Sequence, residues 1–227
     1  MKKVIVISGG SDGLGKTIAE NLAPDHQVII LALNKNKMAK LAKDIKVDFE
    51  VCDVSNYKQC QSAIKNVIKK HKRIDCLINN AGIWIEGELD ENNPDHIQKT
   101  LDVNTVGTIF LTKATIPYLK KQKSGYIINV ISQAGLYAKA LRTTYYASKW
   151  ALVGFTKCLM QEMTPYSIRV TGFYPGKMKT HLFDKVKVKK DLHNALETEP
   201  AAKSIRYLLT TDETTVIPEL GIKHINN

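Results

Sequence analysis

Residues 4–17 read VIVISGGSDGLGKT, and this stretch decides the fold. Its four branched apolar residues show no polar alternation, which is typical of a parallel strand covered on both faces. The glycines Gly9, Gly13 and Gly15 then allow a tight turn, a close approach of the backbone to a ligand and close packing of helix on strand. A helix predicted from Leu14 onward would offer its free N–H groups to a phosphate. The stretch therefore predicts a phosphate-binding strand–loop–helix unit.

The same loop also fits a second pattern. Residues 10–17, GSDGLGKT, match the GxxxxGKT phosphate loop of NTPases. An NTPase additionally needs an acidic residue after a later apolar strand, where it can reach Mg²⁺. Asp53 follows Val51 and Cys52, although Glu50 interrupts that apolar run. The loop alone therefore leaves a dinucleotide site, an NTPase site and a glycine turn without ligand as alternatives.

The rest of the chain alternates short apolar runs with longer helical patterns. Strands are predicted over residues 4–7, 28–33, 47–52, 74–78, 126–131 and 168–173, with a last short one near 216–220. Helices are predicted over residues 14–22, 37–43, 57–70, 96–119, 145–163 and 200–209. Strand and helix in alternation predict right-handed crossovers and one doubly wound parallel β-sheet, an α/β fold with helices on both faces. We expect residues 1–227 to form a single Rossmann-like domain.

Composition and charge limit the function classes. The chain has 227 residues, of which 44% are apolar and 24% charged, as in ordinary globular domains. The 33 basic and 22 acidic residues give a net charge of +11, but the lysines are spread out and no aromatic residues interleave with the run at 69–73 to stack bases. The four cysteines show no metal-type spacing, and no apolar run is long enough to span a bilayer. These features predict a cytoplasmic protein with reduced thiols, without a metal, a nucleic-acid partner or a membrane partner.

A second group of residues carries proton chemistry. Tyr145 and Lys149 are four residues apart, so they share one face of a predicted helix. An ammonium group beside a phenol favours the phenolate, which lets the phenol donate or accept a proton near neutral pH. Ser132, at the end of an apolar run, can hold the same substrate oxygen by a hydrogen bond. Asn104 is a poor helix former within a helical pattern, which requires a reason.

Six motifs occur in one order along the chain: S-G-x-x-x-G-L-G over 8–15, C-D-V over 52–54, N-N-A-G over 79–82, serine at 132, Y-x-x-x-K over 145–149 and P-G-x-x-x-T over 175–180. In this order and at these spacings the chain resembles the short-chain dehydrogenase/reductase family in its basic NAD(P)-binding form. No NTPase family carries the later five motifs. The resemblance implies an oxidoreductase that transfers a hydride between a nicotinamide cofactor and a carbonyl or secondary alcohol.

The resemblance also implies a role for each motif. Asn104, Ser132, Tyr145 and Lys149 would form the catalytic group, in which Tyr145 is the general acid and base. Lys149 would also bind the nicotinamide ribose, and Asn104 would hold a water that links Lys149 to solvent. Tyr146 is only three residues from Lys149, and the family spacing selects Tyr145. Cofactor contacts are expected at Gly9, Ser11, Asp12, Gly13, Leu14, Gly15, Asn34, Lys35, Asp53, Asn80, Ala81, Gly82, Tyr145, Lys149, Pro175, Gly176, Met178 and Thr180.

The end of the second predicted strand selects between NAD and NADP. Ala32 supplies no carboxylate to repel a 2′-phosphate, and Leu33 supplies no guanidinium to grip one. Ser11, Asn34 and Lys35 remain as contacts for the phosphate, whereas the negative charge of Asp12 argues mildly for NAD. We therefore favour NADP(H) over NAD(H), by a modest factor.

Three further expectations concern motion, assembly and the alternative to an enzyme. Residues 177–198 lack clear periodicity, which predicts a mobile substrate lid with short helices. The lysines of this segment either bind an anionic substrate or an acidic carrier protein, or only keep the segment soluble. The helix at 145–163 is apolar over more of its circumference than one sheet face can bury, which predicts a homodimer or homotetramer. A non-catalytic dinucleotide-binding sensor or scaffold is the alternative on this fold, although four intact catalytic residues favour an enzyme acting on a small carbonyl or alcohol substrate.

Overall fold

A seven-stranded parallel sheet forms the centre of the protein, in a computed structural model that describes residues 2–184 and 191–226. The strands are β1 (Val4–Ser8), β2 (Gln27–Ala32), β3 (Asp48–Val51), β4 (Cys76–Asn79), β5 (Gly125–Val130), β6 (Ile168–Pro175) and β7 (Glu219–Ile222). Their order across the sheet is β3-β2-β1-β4-β5-β6-β7. The strand order reverses between β1 and β4, so a crevice opens beyond the carboxyl ends of these strands. The predicted doubly wound α/β sheet is confirmed.

Helices cover both faces of this sheet. They are α1 (Gly13–Leu22), α2 (Lys35–Ile45), α3 (Tyr57–His71), α4 (Pro94–Leu101), α5 (Gly107–Gln122), α6 (Thr143–Met163) and α7 (Thr198–Thr210). Alternate strand residues feed two separate cores: Ile5 and Ile7 pack with α1 and α7, whereas Val4 and Val6 pack with the face that α3 and α5 cover. Burial on both faces explains why the strand sequences show no polar alternation.

The helix predicted over 96–119 is interrupted in the structure. It consists of α4, a single π-helical turn over Asp102–Val106, and α5. A π-turn inserts one extra residue per turn and re-aims the side chains within it, often at functional sites. Here it turns Asn104 inward, where the residue is fully buried. The poor helix former in the middle of this pattern thus marks the interruption.

The segment predicted as a lid has a different local structure from the short helices we expected. Lys179 N–H donates to the Leu196 carbonyl at 2.9 Å, and Leu196 N–H donates to the Lys177 carbonyl at 2.8 Å. Backbone pairing of the two ends satisfies these groups without helical hydrogen bonds. Over 177–184 and 191–197 the chain forms turns and bends around this pairing, and α7 begins only at Thr198. Residues 185–190 of the predicted lid lie outside the described part of the chain.

No helix within residues 2–184 and 191–226 combines the length and the apolar character that crossing a membrane requires.

Candidate active site

A cleft of about 940 Å³ lies beyond the carboxyl ends of the central strands. Most residues that the sequence predicted for the site line this cleft. They are Gly9, Ser11, Asp12, Gly13, Leu14, Asn34, Asp53, Asn80, Ala81, Gly82, Ser132, Tyr145, Lys149, Pro175, Gly176, Met178 and Thr180. Gly15, Lys35 and Asn104 were also predicted for the site but do not form its wall.

The glycine loop forms a shallow cradle at one end of the cleft. Gly9 and Gly13 have φ values of 66° and 49°, which favour glycine. A Cβ on Gly9 would lie 2.9 Å from the Ala81 Cα, and a Cβ on Gly15 would lie 2.3 Å from the Gly9 carbonyl oxygen. Gly15 thus does not line the cleft, but its lack of a side chain allows α1 to pack closely against the glycine loop. Any side chain at these positions would fill the cradle or displace it, so the residues present fit a pyrophosphate against the start of α1.

The NTPase alternative fails at the lysine of the loop. A phosphate-loop lysine has to reach the phosphates of the nucleotide. Lys16 instead forms an ion pair with Glu20 at 3.5 Å along the surface of α1, and its side chain is 45% exposed. Asp53 also behaves as a turn residue, because its Oδ1 accepts hydrogen bonds from the backbone N–H and the hydroxyl of Ser55. Lys16 thus does not line the cleft and is not placed for the role that NTPase chemistry requires of the loop lysine.

Tyr145 and Ser132 meet on the opposite wall of the cleft. Tyr145, in the first turn of α6, is only 6% exposed, and its phenol lies near the Ser132 side chain. Burial raises the pKa of Tyr145, and the polar Ser132 side chain acts to lower it. Ser132 follows β5 with φ 125° and ψ 157°, a region that is almost restricted to glycine. The backbone is therefore strained at the residue whose side chain lies near the phenol.

Lys149 lies one turn after Tyr145 on the same face of α6. Its ammonium group lies 5.8 Å from the centre of the Tyr145 ring and donates a hydrogen bond to the Val130 carbonyl at 3.2 Å. Burial lowers the pKa of Lys149 to about 8, because a charged amine is poorly solvated there. The predicted helix register thus places the ammonium group of Lys149 and the ring of Tyr145 on the same face of α6.

Tyr146 also lines the cleft, and the two tyrosine rings lie 6.3 Å apart. Tyr145 is buried and packs against the Trp84 ring at 4.3 Å, whereas Tyr146 is half-buried. The assignment of the general acid to Tyr145 and not to Tyr146 stays a prediction.

Asn104 lies behind the cleft and ties its walls together. Its Oδ1 accepts from the Ile83 N–H at 2.8 Å, and its Nδ2 donates to the Ile83 carbonyl at 3.0 Å and to the Ser148 hydroxyl at 3.0 Å. Ser148 donates in turn to the Tyr145 carbonyl at 2.6 Å. The π-turn thus places one amide where it joins the segment after β4 to the helix that carries Tyr145.

The end of the cleft that the glycine loop forms also contains a lysine that the sequence analysis missed. Lys37 lines the cleft and its ammonium group lies 2.6 Å from Asp12 Oδ2, whereas Lys35 is exposed outside it. His181 Nδ1 lies 3.1 Å from the other oxygen of Asp12. Burial acts to raise the pKa of Asp12, but the hydrogen bonds from Lys37 and His181 hold it below its usual value. The sequence did contain a signal for Lys37. Asn34 is a typical helix N-cap residue, and in the structure its side chain accepts a hydrogen bond from the Lys37 N–H, which places Lys37 in the first turn of α2.

Comparison with known proteins agrees with this geometry. The profile of the short chain dehydrogenase family matches residues 3–191. An uncharacterized oxidoreductase of Staphylococcus saprophyticus is 30% identical over 97% of this chain and 95% of that protein. The 3-oxoacyl-acyl-carrier-protein reductase of Thermotoga maritima is 32% identical over 81% of this chain and 77% of that protein. The solved structure of a metagenomic short-chain oxidoreductase in complex with NADP is 27% identical and superposes with a TM-score of 0.84 over 97% of this chain and 96% of that one.

A glycine cradle together with a buried tyrosine, a buried lysine and a half-buried serine, at the carboxyl edge of one parallel sheet, defines a dinucleotide-dependent oxidoreductase. The chain belongs to the short-chain dehydrogenase family, as its motifs predicted. Its function is the transfer of a hydride between a nicotinamide cofactor and a carbonyl or alcohol. This membership decides against an NTPase, and nothing in the site favours a non-catalytic sensor.

Proposed function

We propose that the chain is an NADP-dependent carbonyl reductase in which Tyr145 is the general acid and Ser132, Lys149 and Asn104 support it. One observation carries this proposal: the phenol, the hydroxyl and the ammonium group converge on one wall of the cleft that begins at the glycine cradle. In the reverse direction the same groups would oxidise the matching alcohol.

The proposed reaction needs only these side chains and the hydride that the nicotinamide supplies when it is bound. Ser132 and Tyr145 donate hydrogen bonds to the carbonyl oxygen of the substrate, on which negative charge develops. Tyr145 then gives its phenolic proton to that oxygen. The ammonium group of Lys149 stabilises the phenolate that remains, because an opposite charge nearby favours the ionised phenol. In alcohol oxidation Tyr145 accepts the proton instead.

Asn104 acts in this proposal as a positioning residue. Its side chain amide bonds Ile83 and Ser148, so it fixes the wall on which Tyr145 lies. A Cβ on Gly82 would lie 3.3 Å from Asn104 Oδ1 and 3.8 Å from the ammonium group of Lys149. Gly82 therefore lets the segment after β4 pass directly over both groups. The water expected between Lys149 and solvent remains a prediction.

We propose NADP as the cofactor because Lys37 supplies a cation in the cleft wall beside the glycine loop, where the adenosine half of the cofactor would bind. Its ion pair with Asp12 neutralises the acid that argued for NAD, and Ala32 adds no carboxylate. The relative solved with NADP supports the same choice. The remaining predicted contacts are proposals as well: Asp53 for the adenine amino group, Asn80, Ala81 and Gly82 for its ribose, and Pro175, Gly176, Met178 and Thr180 for the nicotinamide carboxamide.

Assembly and location complete the proposal. The outer face of α6 exposes Trp150, Ala151 and Cys158. Exposed apolar surface of this kind marks an interface, so we propose that two or four copies of the chain associate through it.

The four cysteines are free thiols, which fits a reducing compartment such as the cytoplasm.

The experiment that tests the proposed function is NADPH consumption with a panel of aldehydes, ketones and 3-oxoacyl esters. Turnover of at least one carbonyl compound is expected, and Tyr145→Phe should lower its rate by a factor of about 10²–10⁴ while cofactor binding persists. Binding of NADPH without turnover across the whole panel would favour the sensor instead.

A further inference from the structure

The substrate end of the cleft contains an arginine that the proposed reaction does not use. Arg142 precedes the first turn of α6 and its side chain lines the cleft beside Tyr145. Only 19% of that side chain is exposed. Its Nε–H donates to Glu86 Oε1 at 3.1 Å, and the guanidinium carbon lies 5.6 Å from the centre of the Trp84 ring. The guanidinium is therefore held at a defined position in the wall.

Glu86 connects Arg142 to Tyr145 through Trp84. Its second oxygen accepts a hydrogen bond from the Trp84 indole N–H at 3.1 Å, and the Trp84 ring packs on Tyr145 at 4.3 Å. Beside this group, Gly87 N–H donates to the Leu141 carbonyl at 2.8 Å. The segment after β4 is thus fastened to the start of α6 by side chains and backbone together. A group that binds Arg142 is consequently held at a fixed distance from Tyr145.

The guanidinium retains donors for a ligand. Arginine carries five N–H donors in a planar fork, of which Arg142 gives one to Glu86. The two terminal nitrogens donate to no other residue in the ranges 2–184 and 191–226. Such a fork matches the oxygens of a carboxylate or a phosphate, with which it forms two parallel hydrogen bonds.

The charges of the cleft wall point the same way. The basic residues that line the cleft are Lys37, Lys99, Lys139, Arg142, Lys149 and Lys177, whereas the acids among the described residues of its wall are Asp12, Asp53 and Asp191, with Glu86 beside Arg142. Cations therefore outnumber carboxylates there. In a cleft with low-dielectric walls such an excess raises the local concentration of anions.

We propose that Arg142 determines substrate specificity and that the substrate is a ketone or aldehyde carrying a carboxylate or a phosphate monoester. Arg142 binds the anionic group while Ser132 and Tyr145 bind the carbonyl oxygen. The part of the substrate between these groups lies on the aromatic surface of Trp84 and Phe183, whose rings are 5.0 Å apart. This inference rests on the proposed function, because it assigns a substrate class to the same site.

The test measures binding in a complex that cannot turn over. Tyr145→Phe, saturated with NADPH, is titrated calorimetrically with 4-acetylbenzoate, with its methyl ester and with 4-acetylphenyl phosphate. The carboxylate, the phosphate or both should bind about tenfold or more tightly than the ester, as expected for a charge-assisted pair. The two anionic probes also distinguish which anion the site prefers. Equal or weaker binding of both anions relative to the ester would overturn the inference.

Two further variants separate Arg142 from the general positive charge. Arg142→Gln, in the same background, should remove the preference for the anion and leave the affinity for the ester nearly unchanged. Lys139→Gln, which removes one exposed charge from the same end, should change the preference by less than about threefold because that charge is screened. Equal losses for anion and ester in Arg142→Gln, or an equal effect of Lys139→Gln, would contradict the assignment. Reduction of neutral ketones by the unaltered enzyme without any anion preference would leave the proposed function intact and refute this inference alone.

Discussion

The ammonium group of Lys149 and the carbonyl oxygen of Val130 are 3.2 Å apart, and this hydrogen bond anchors a buried cation to the end of β5. The side chain is only 5% exposed, so its charge is poorly solvated in the cofactor-free protein. The lowered pKa of about 8 expresses that cost. The role proposed for Lys149 thus places a group that destabilises the fold beside the phenol whose ionised form it would stabilise.

Lys149→Met should consequently stabilise the cofactor-free protein while it abolishes activity. A pKa that falls from 10.5 to about 8 corresponds to about 3 kcal/mol, from which the lost hydrogen bond to Val130 subtracts about 1 kcal/mol. Below pH 8 the amine is protonated in both the folded and the unfolded protein, so the full penalty applies. Between pH 8 and about 10.5 the unfolded state binds more protons, and the stability of the unaltered protein rises with pH.

Denaturant unfolding at pH 7 and pH 10 measures this effect. The variant should be more stable by about 2 kcal/mol at pH 7, and the difference should shrink as the pH rises. Lys157→Met is the matched control, since Lys157 lies on the same helix with its side chain 60% exposed. A pH-dependent gain in the control, or a loss of stability in Lys149→Met at pH 7, would contradict the argument.

The two adjacent tyrosines provide a direct test of the helix register. Tyr145→Phe should lower kcat by a factor of about 10²–10⁴, since the hydroxyl that donates the proton is removed. NADPH affinity should change little. Tyr146→Phe should keep most of the activity, because the phenol that lies near Ser132 belongs to Tyr145. Steady-state kinetics of both variants decide the matter, and the opposite pattern would mean that Tyr146 is the acid.

Backbone strain at Ser132 predicts a difference between two small substitutions. With φ at 125° and ψ at 157°, a residue that has a Cβ costs on the order of 1–3 kcal/mol there. Ser132→Gly and Ser132→Ala both remove the hydroxyl, and each should lower kcat by about 10²-fold. The glycine variant should nevertheless be the more stable one by about 1 kcal/mol, after its larger loss of chain entropy. Thermal and denaturant unfolding measure this difference, and equal stability of the two variants would show that Ser132 is not strained.

Strands and motifs were predictable because their signals are local. Buried parallel strands give uninterrupted Val and Ile runs, and the glycine spacing of 9, 13 and 15 follows from contacts within one strand–loop–helix unit. The register of Tyr145 and Lys149 needed only the period of a helix.

Features that depend on tertiary contacts were beyond the sequence. The π-turn places the Asn104 amide against Ile83, which lies 21 residues earlier in the chain and which no local pattern connects to it. Lys37 was overlooked in favour of Lys35 because the direction in which α2 leaves the sheet decides which lysine faces the cleft. The pairing of Glu86 with Arg142 joins two loops that no local pattern connects.

Cofactor selection provides the last prediction, and two lysines on α2 make a matched pair for it. Lys37→Ala should reduce the preference for NADPH over NADH several-fold, because a partly exposed charge contact contributes on the order of 1 kcal/mol. Lys35→Ala should have little effect, since that exposed side chain does not line the cleft. Leu33→Arg should increase the NADPH preference and Ala32→Asp should reverse it, by adding a guanidinium or a carboxylate at the end of β2. Fluorescence titrations of both cofactors at low and high salt test all four variants, and the Lys37 effect should weaken at high salt. An NADH preference in the unaltered protein, or equal effects at 35 and 37, would show that Lys37 does not select the cofactor.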